Sequence, residues 1–371
     1  MDTLLNFGLF FVGLVLLSGG AEILVRSAQK LSLMLGISPL IVGLTVVAFG
    51  TSAPEVAVSV NAALIGSADI VIGNIVGSNI ANILLVLGLS AALSPMVVSR
   101  KLVRIDVPIM IGITLVMYAL ARNGMVSTLE SITLLLMLGI YLAYLIINER
   151  REKKIRDAEY EDDLDDLMVV KSFRAYFFNI LYFFIGLVLL VYGSDLLVDN
   201  AVTLAKMWGV SELIIGLTIV SIGTSLPELA TSVAASIKGE RNLAVGNIVG
   251  SNIFNLLLVL GITGLTSADG VAVSLNAIDF DIPVMLAVSL ACLPIFYRGY
   301  GIGRWEGVFF LFYYAAYITY LVLDSIHFEY LPVINVSMLY FVIPISAITV
   351  IVLAINTYRY RKNKDVPDVT S

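Results

Sequence analysis

The chain has 371 residues, of which 59% are hydrophobic and only 13% charged, and its mean hydropathy is +0.97. That is about half the charged fraction of an ordinary soluble domain, so a soluble globular protein is excluded and a multi-spanning membrane protein is implied. The net charge of −6 constrains little, because acidic residues hardly influence insertion topology. The lone Cys292 excludes an internal disulfide, and with the lone His327 it leaves too few N or S ligands for a zinc site.

A membrane span needs about 20 mostly apolar residues. Such segments occur near Leu4 to Leu17, Pro39 to Leu64, Asp69 to Ala92, Ile105 to Ala121 and Leu129 to Ile147. A second set follows near Tyr176 to Val198, Ser211 to Ile237, Leu243 to Leu265, Phe280 to Phe296 and Trp305 to Leu323, with one more near Val336 to Ile355. The first segment lacks a basic leader and a small-residue cleavage site, so it is expected to be a retained span. The expected division is a five-span repeat over 1–147, a linker over 148–172, a second five-span repeat over 173–323, and an extra span with a basic tail over 324–371.

The linker carries a basic run, Arg150, Arg151, Lys153 and Lys154, followed by an acidic one from Glu159 to Asp166. A solvated cytosolic connection explains it. A calcium-sensing patch is the rival, but EF-hand spacing and its glycine are missing. With the amino terminus outside, Arg26 and Lys30 fall in an inner loop, and Arg100, Lys101, Arg104, Arg150 to Arg174, Lys238, Arg241, Arg298 and Arg304 also lie inside, as does the tail Arg359, Arg361, Lys362 and Lys364. Only Arg122 and Lys206 then lie outside, a strong positive-inside asymmetry. An odd number of spans per repeat makes the two halves inverted, which is a transporter architecture.

One passage is written twice at a constant offset of 173 positions, Gly43 to Leu89 and Gly216 to Ile262. Each copy holds a glutamate, Glu55 or Glu228, inside an otherwise apolar segment. A carboxylate at bilayer depth costs roughly 2.5 to 3.5 kcal/mol on insertion scales, so it is expected to face a partner or a wet path. Just before Glu55 come Gly50, Thr51, Ser52, Ala53 and Pro54; the proline has no N–H to donate, and the helix is expected to break there, freeing carbonyls near Ala48 and Phe49. Thr51 and Ser52 with Glu55, and Thr224 and Ser225 with Glu228, are all oxygen donors, the ligand type that Ca²⁺ and Na⁺ prefer.

The second element of each copy, Gly73 to Asn79 and Gly246 to Asn252, has the small-xxx-small pattern that permits close helix approach. Ser78 and Asn82, like Ser251 and Asn255, project from one helix face and are expected to complete an oxygen cage. Taken singly, such Ser, Thr and Asn residues are more often interhelical hydrogen-bonding groups than ligands. Asp195 and Glu22 are expected near span ends, in surface hydrogen bonds; Asp279 and Asp281 in an external loop or span end; Asp106 in an internal loop.

At G-T-S-x-P-E and G-N-x-x-G-S-N, each present twice in order, the chain resembles the Ca²⁺/cation antiporter superfamily and is most similar to its prokaryotic sodium/calcium exchanger branch. The resemblance covers both five-span halves. It implies an all-α membrane protein with a ten-helix exchanger core of two inverted five-helix repeats, to which the eleventh C-terminal helix is an addition. It further implies alternating access by sliding of the first span of each half. The family's Ca²⁺-coordinating glutamates match Glu55 and Glu228; its hydroxyl ligands match Thr51, Ser52, Thr224, Ser225, Ser78 and Ser251; its carbonyl ligands match Ala48 and Ser221. Members of the branch, potassium-dependent ones included, often carry an aspartate where Asn255 stands, so this cage has one titratable group fewer.

The expected function is exchange of Na⁺ for Ca²⁺ across a plasma (inner) membrane, with the carboxyl terminus cytosolic. A H⁺/Ca²⁺ or K⁺-dependent exchanger is the nearest rival, followed by a passive channel. An intramembrane enzyme is disfavoured, because repeat symmetry supplies two equivalent glutamates where acid/base chemistry wants differentiated ones. Inorganic cations and the bilayer are the expected partners, with no cofactor, nucleic acid or required protein partner.

Overall fold

The computed structural model describes residues 2–159, 173–209 and 221–326, apart from 268 and 298. Most of the linker (160–172), the leading part of the span read from Ser211, the eleventh span, His327 and the basic tail lie outside the described residues.

The described chain is almost wholly helical: α1 (Thr3–Leu35), α2 (Pro39–Thr51), α3 (Ala53–Leu64), α4 (Ala68–Leu93), α5 (Leu102–Ala121), α6 (Thr128–Glu152), α7 (Phe173–Met207), α8 (Leu226–Ile237), α9 (Arg241–Thr266), α10 (Ala277–Tyr297) and α11 (Arg304–Asp324). Among the described residues, eight of these are long and apolar enough to cross a membrane, and α2 with α3, bent by 43°, forms a ninth if counted as one broken span.

Two helices outrun the sequence reading. α1 has 33 residues and α7 has 35, about 50 Å at 1.5 Å per residue, against a hydrocarbon core of about 30 Å. Arg26 and Lys30, expected in a loop, therefore sit on α1 itself, both exposed. Helix propagation continues past the apolar stretch because nothing breaks it before Gly36, whose φ of +63° closes α1 while the Ile37 amide donates back to the Ser32 carbonyl (3.0 Å). Asp106, read as an inner-loop residue, instead lies in the opening turn of α5, and Asp281, read as external loop or span end, lies in the opening turn of α10. Both turns are π-helical, the wide form that fits an extra residue into a turn.

α1 and α7 run antiparallel in backbone contact. A Cβ added at Gly13 would lie 2.7 Å from the Leu197 amide nitrogen, and one at Gly193 2.5 Å from that of Leu17; Gly20 and Gly186 meet one another's helices in the same way. Small residues let helices approach this closely. The opposite faces of the pair expose Leu4, Phe11, Val15, Phe177, Phe184 and Val188, the surface expected against lipid. α4 and α9 are the enclosed helices, with 72% and 83% of their apolar windows buried against 33% and 28% for α1 and α7; the residues of the repeated passage thus occupy the centre.

Two short antiparallel β pairs tie the halves together: Met96–Val97 with Gly301–Ile302, and Met125–Val126 with Val271–Ala272.

A candidate cation site where the two copies meet

In the first copy, α2 stops at Thr51 and α3 starts at Ala53, leaving Ser52 alone between them at φ −81°, ψ 9°. Ser225 repeats this at φ −86°, ψ 4° ahead of α8. Pro54 and Pro227 fall in the first turn of the new helix, where a missing N–H costs no intrahelical bond. Glu55 and Glu228 share that turn, where the helix dipole favours negative charge.

One detail corrects the sequence reading. The Ala48 carbonyl is not stripped of its donor: the Ser52 amide reaches it at 3.0 Å and the Thr51 hydroxyl at 3.3 Å. The reason is register, since a proline at 54 removes the donor to the Gly50 carbonyl, two residues further on. Ser221 opens the short helical turn Ser221–Gly223 at the edge of the described residues.

Glu55 and Glu228 are fully buried and lie within each other's electrostatic reach. Oε1 of Glu228 accepts from the Ser52 hydroxyl (3.2 Å) and the Ser251 hydroxyl (3.3 Å). Among the described residues, its Oε2 and both oxygens of Glu55 have no hydrogen-bond partner, and neither do the Asn82 side-chain oxygen, the Asn255 amide group or the Ser225 hydroxyl. Buried carboxylate oxygens without donors cost several kcal/mol unless a cation or proton compensates. Among the described residues no group of three or more His, Cys, Asp or Glu could hold a metal ion, so the acidic part of this cluster is the glutamate pair alone.

The remaining predicted residues converge on the same place through contacts that swap between copies. Thr51 donates to the Asn247 side-chain oxygen (3.2 Å) and lies 3.4 Å from the Ser251 hydroxyl. Thr224 donates to that of Asn74 (3.2 Å) and lies 3.4 Å from the Ser78 hydroxyl. Adding or subtracting 173 converts one set into the other, the reciprocity that a two-fold relation produces. The Asn82 amide donates to the Asn252 side-chain oxygen at 3.0 Å, and Asn82 and Asn255 each open a π-helical turn, a feature that recurs at functional sites.

Asn74 and Asn247 were missed as site residues. Asn74 donates to the Ser59 hydroxyl (2.9 Å) and the Glu55 carbonyl (3.2 Å) while accepting from Thr224. Asn247 donates to the Ser232 hydroxyl (3.0 Å) and accepts from Thr51. Each fastens the glutamate helix of its own copy to a hydroxyl of the other. Both stand in the doubled motif, where the glycine spacing accounted for close packing and left the amide unexplained. Glu22 behaves as expected of a surface group, paired with Arg26 and with Lys238 (3.0 Å).

Broken helices that bring paired carboxylates and neutral oxygens to the centre of a membrane protein define an ion transporter. The sodium/calcium exchanger protein profile matches residues 5–147 and 178–323, and the chain belongs to that family. It is 41% identical to the putative antiporter CaxA of Alkalimonas amylolytica over 85% of this chain and 97% of that one. It is 34% identical to the sodium/calcium exchanger MaX1 of Methanosarcina acetivorans over 85% and 98%. The fold matches the sodium-calcium exchanger NCX_Mj soaked with zero Na⁺ and Ca²⁺ at a TM-score of 0.74 and 30% identity, covering 86% of this chain and 99% of that one. These relatives are a putative antiporter and two sodium/calcium exchangers.

Proposed function

We propose that the protein is a secondary active antiporter that moves Ca²⁺ out of the cell as Na⁺ runs inward, both through the site built on Glu55 and Glu228. The observation that carries this reading is the set of three carboxylate oxygens buried at the junction of the copies with no hydrogen-bond partner among the described residues. Two carboxylates neutralise one Ca²⁺, and the surrounding hydroxyl, amide and carbonyl oxygens of Thr51, Ser52, Thr224, Ser225, Ser78, Asn82, Ser251, Asn255, Ala48 and Ser221 suit either ion, since both are hard cations. Because the ions compete for one cage, exchange requires no second chamber.

In this reading residues 1–147 and 173–323 are inverted five-helix repeats joined by a cytosolic linker, with the amino terminus outside the plasma membrane and an extra helix over 324–371 returning the tail to the cytosol. α1 and α7 slide over a fixed remainder and expose the site to each side in turn. The sodium gradient drives the cycle together with the membrane potential, worth about 2.3 kcal/mol per net charge per 100 mV. The antiparallel run of α1 and α7 and the reciprocal hydrogen bonds support the inverted arrangement.

The test is isotopic Ca²⁺ flux in proteoliposomes under separately clamped Na⁺, K⁺ and H⁺ gradients. Flux should follow the sodium gradient, and Glu55→Gln or Glu228→Gln should abolish it. Retained flux in either variant removes the site assignment. Flux that follows a pH gradient without sodium replaces sodium by protons as the coupling ion.

A further inference from the structure

A cavity of about 700 Å³ adjoins the candidate site and holds a charged group that the glutamate pair does not account for. Asn74 and Thr224, bonded to each other at 3.2 Å, line it, and Thr224 belongs to the proposed cage. Asp69, Ser274 and Asn276, all exposed, also line it. Asp69 lies in the first turn of α4, Asn276 just precedes α10, and Leu321 stands near the end of α11; on the proposed topology all three termini are external. Asp281, half-buried, lines the same cavity, its carboxylate held by the Tyr317 hydroxyl at 3.0 Å. Among the described lining residues, Asp69 and Asp281 are the charged ones and both are negative.

The arrangement is one-sided. The counterpart of Asp281 in the first half is Asp106, which likewise accepts from a tyrosine, Tyr141, at 3.4 Å. Asp106 is fully buried and borders neither described cavity, and the nearby Lys101 is ion-paired with Glu152 at 2.8 Å. A pair of equivalent acids thus meets two different settings, one enclosed and one on a passage wall.

We propose that Asp281, held by Tyr317, is a steering residue for cations approaching from the cavity side: it raises the local concentration of Ca²⁺ on the path to Thr224 without itself ligating the transported ion. A low-dielectric cleft of one sign of charge focuses the field and raises cation on-rates, and a divalent ion feels twice the pull of a monovalent one. This inference rests on the proposed exchange reaction and its orientation.

The experiment is initial-rate ⁴⁵Ca²⁺ uptake by Na⁺-loaded vesicles, read against external Ca²⁺. At about 10 mM ionic strength, where the screening length is roughly 30 Å, Asp281→Asn should raise the half-saturating Ca²⁺ about three- to tenfold with the maximal rate unchanged. The shift should shrink severalfold when choline chloride brings the ionic strength to about 1 M, where screening acts within roughly 3 Å. Asp281→Glu should restore the wild-type curve, and Tyr317→Phe should give a smaller shift of the same sign. A lowered maximal rate with unchanged half-saturation, or a shift indifferent to salt, overturns the inference. A wild-type protein with no sodium-driven uptake defeats the exchange reading itself; wild-type flux, dead Glu228→Gln and an Asp281→Asn curve superimposed on wild type defeat only the role of Asp281.

Discussion

The glycines at matching positions of α4 and α9 sit in different surroundings. On α9, Gly246 and Gly250 press against α2: a Cβ at Gly246 would lie 2.8 Å from the Leu40 carbonyl, and one at Gly250 2.8 Å from the Ala48 Cβ and 2.9 Å from Leu44 backbone. On α4, Gly73 and Gly77 line the cavity that reaches Asn74 and Thr224. The same motif therefore supports a sealed contact on one side of the glutamates and a water-sized passage on the other. Sequence symmetry does not force structural symmetry, and the proposed alternation needs that inequality, since equal faces would leave the site open to both sides or to neither.

The largest effect that tests this contrast is loss of all exchange in the two glutamate variants. Next comes the glycine pair. Gly250→Ala inserts a methyl group where backbone stands, so it should lower stability by about 1–3 kcal/mol, seen as a fall in unfolding temperature by tryptophan fluorescence. Gly77→Ala should be neutral or stabilising by about 0.5–1 kcal/mol, since alanine suits a helix better than glycine. Equal losses at both positions would erase the distinction between the faces. Asn74→Ala and Asn247→Ala each remove the amide that ties the glutamate helix to a threonine of the other copy, and about 1–3 kcal/mol is the expected cost; both should lower the unfolding temperature, with Asn74→Ala the milder because Asn74 borders the cavity. Smallest of all is Glu22→Gln. It removes a solvent-screened pairing with Lys238 and Arg26, and sodium-driven flux should persist; a dead variant would move Glu22 into the transport machinery.

Much of this architecture was legible because the chain states it twice. The breaks at Ser52 and Ser225 follow from proline chemistry, and the burial of Glu55 and Glu228 from their apolar surroundings. What escaped depended on partners distant in sequence. Asn74 meets Thr224, 150 positions away, and no local pattern announces it. Asp106 and Asp281 stand at the margins of their apolar segments, where charge lowers the hydropathy average and blurs helix into loop, while Tyr141 and Tyr317 hold them against the packed helices. The length of α1 was hidden for the same reason: Glu22, Arg26 and Lys30 lower the average without interrupting the hydrogen-bond ladder. The Ala48 carbonyl keeps its donor because Pro54 lies six residues beyond it, not four.

The glycine seam between α1 and α7 has a mechanical corollary. On the proposed sliding mechanism it joins the two longest described rods into a single shuttle whose outer flank is grease, whereas the β clips at Met96–Val97 and Met125–Val126 tie loops of the two halves into one chassis. In that proposed motion, displacing the shuttle trades one methyl-rich neighbour for another of equal polarity, and the bilayer would serve as its bearing.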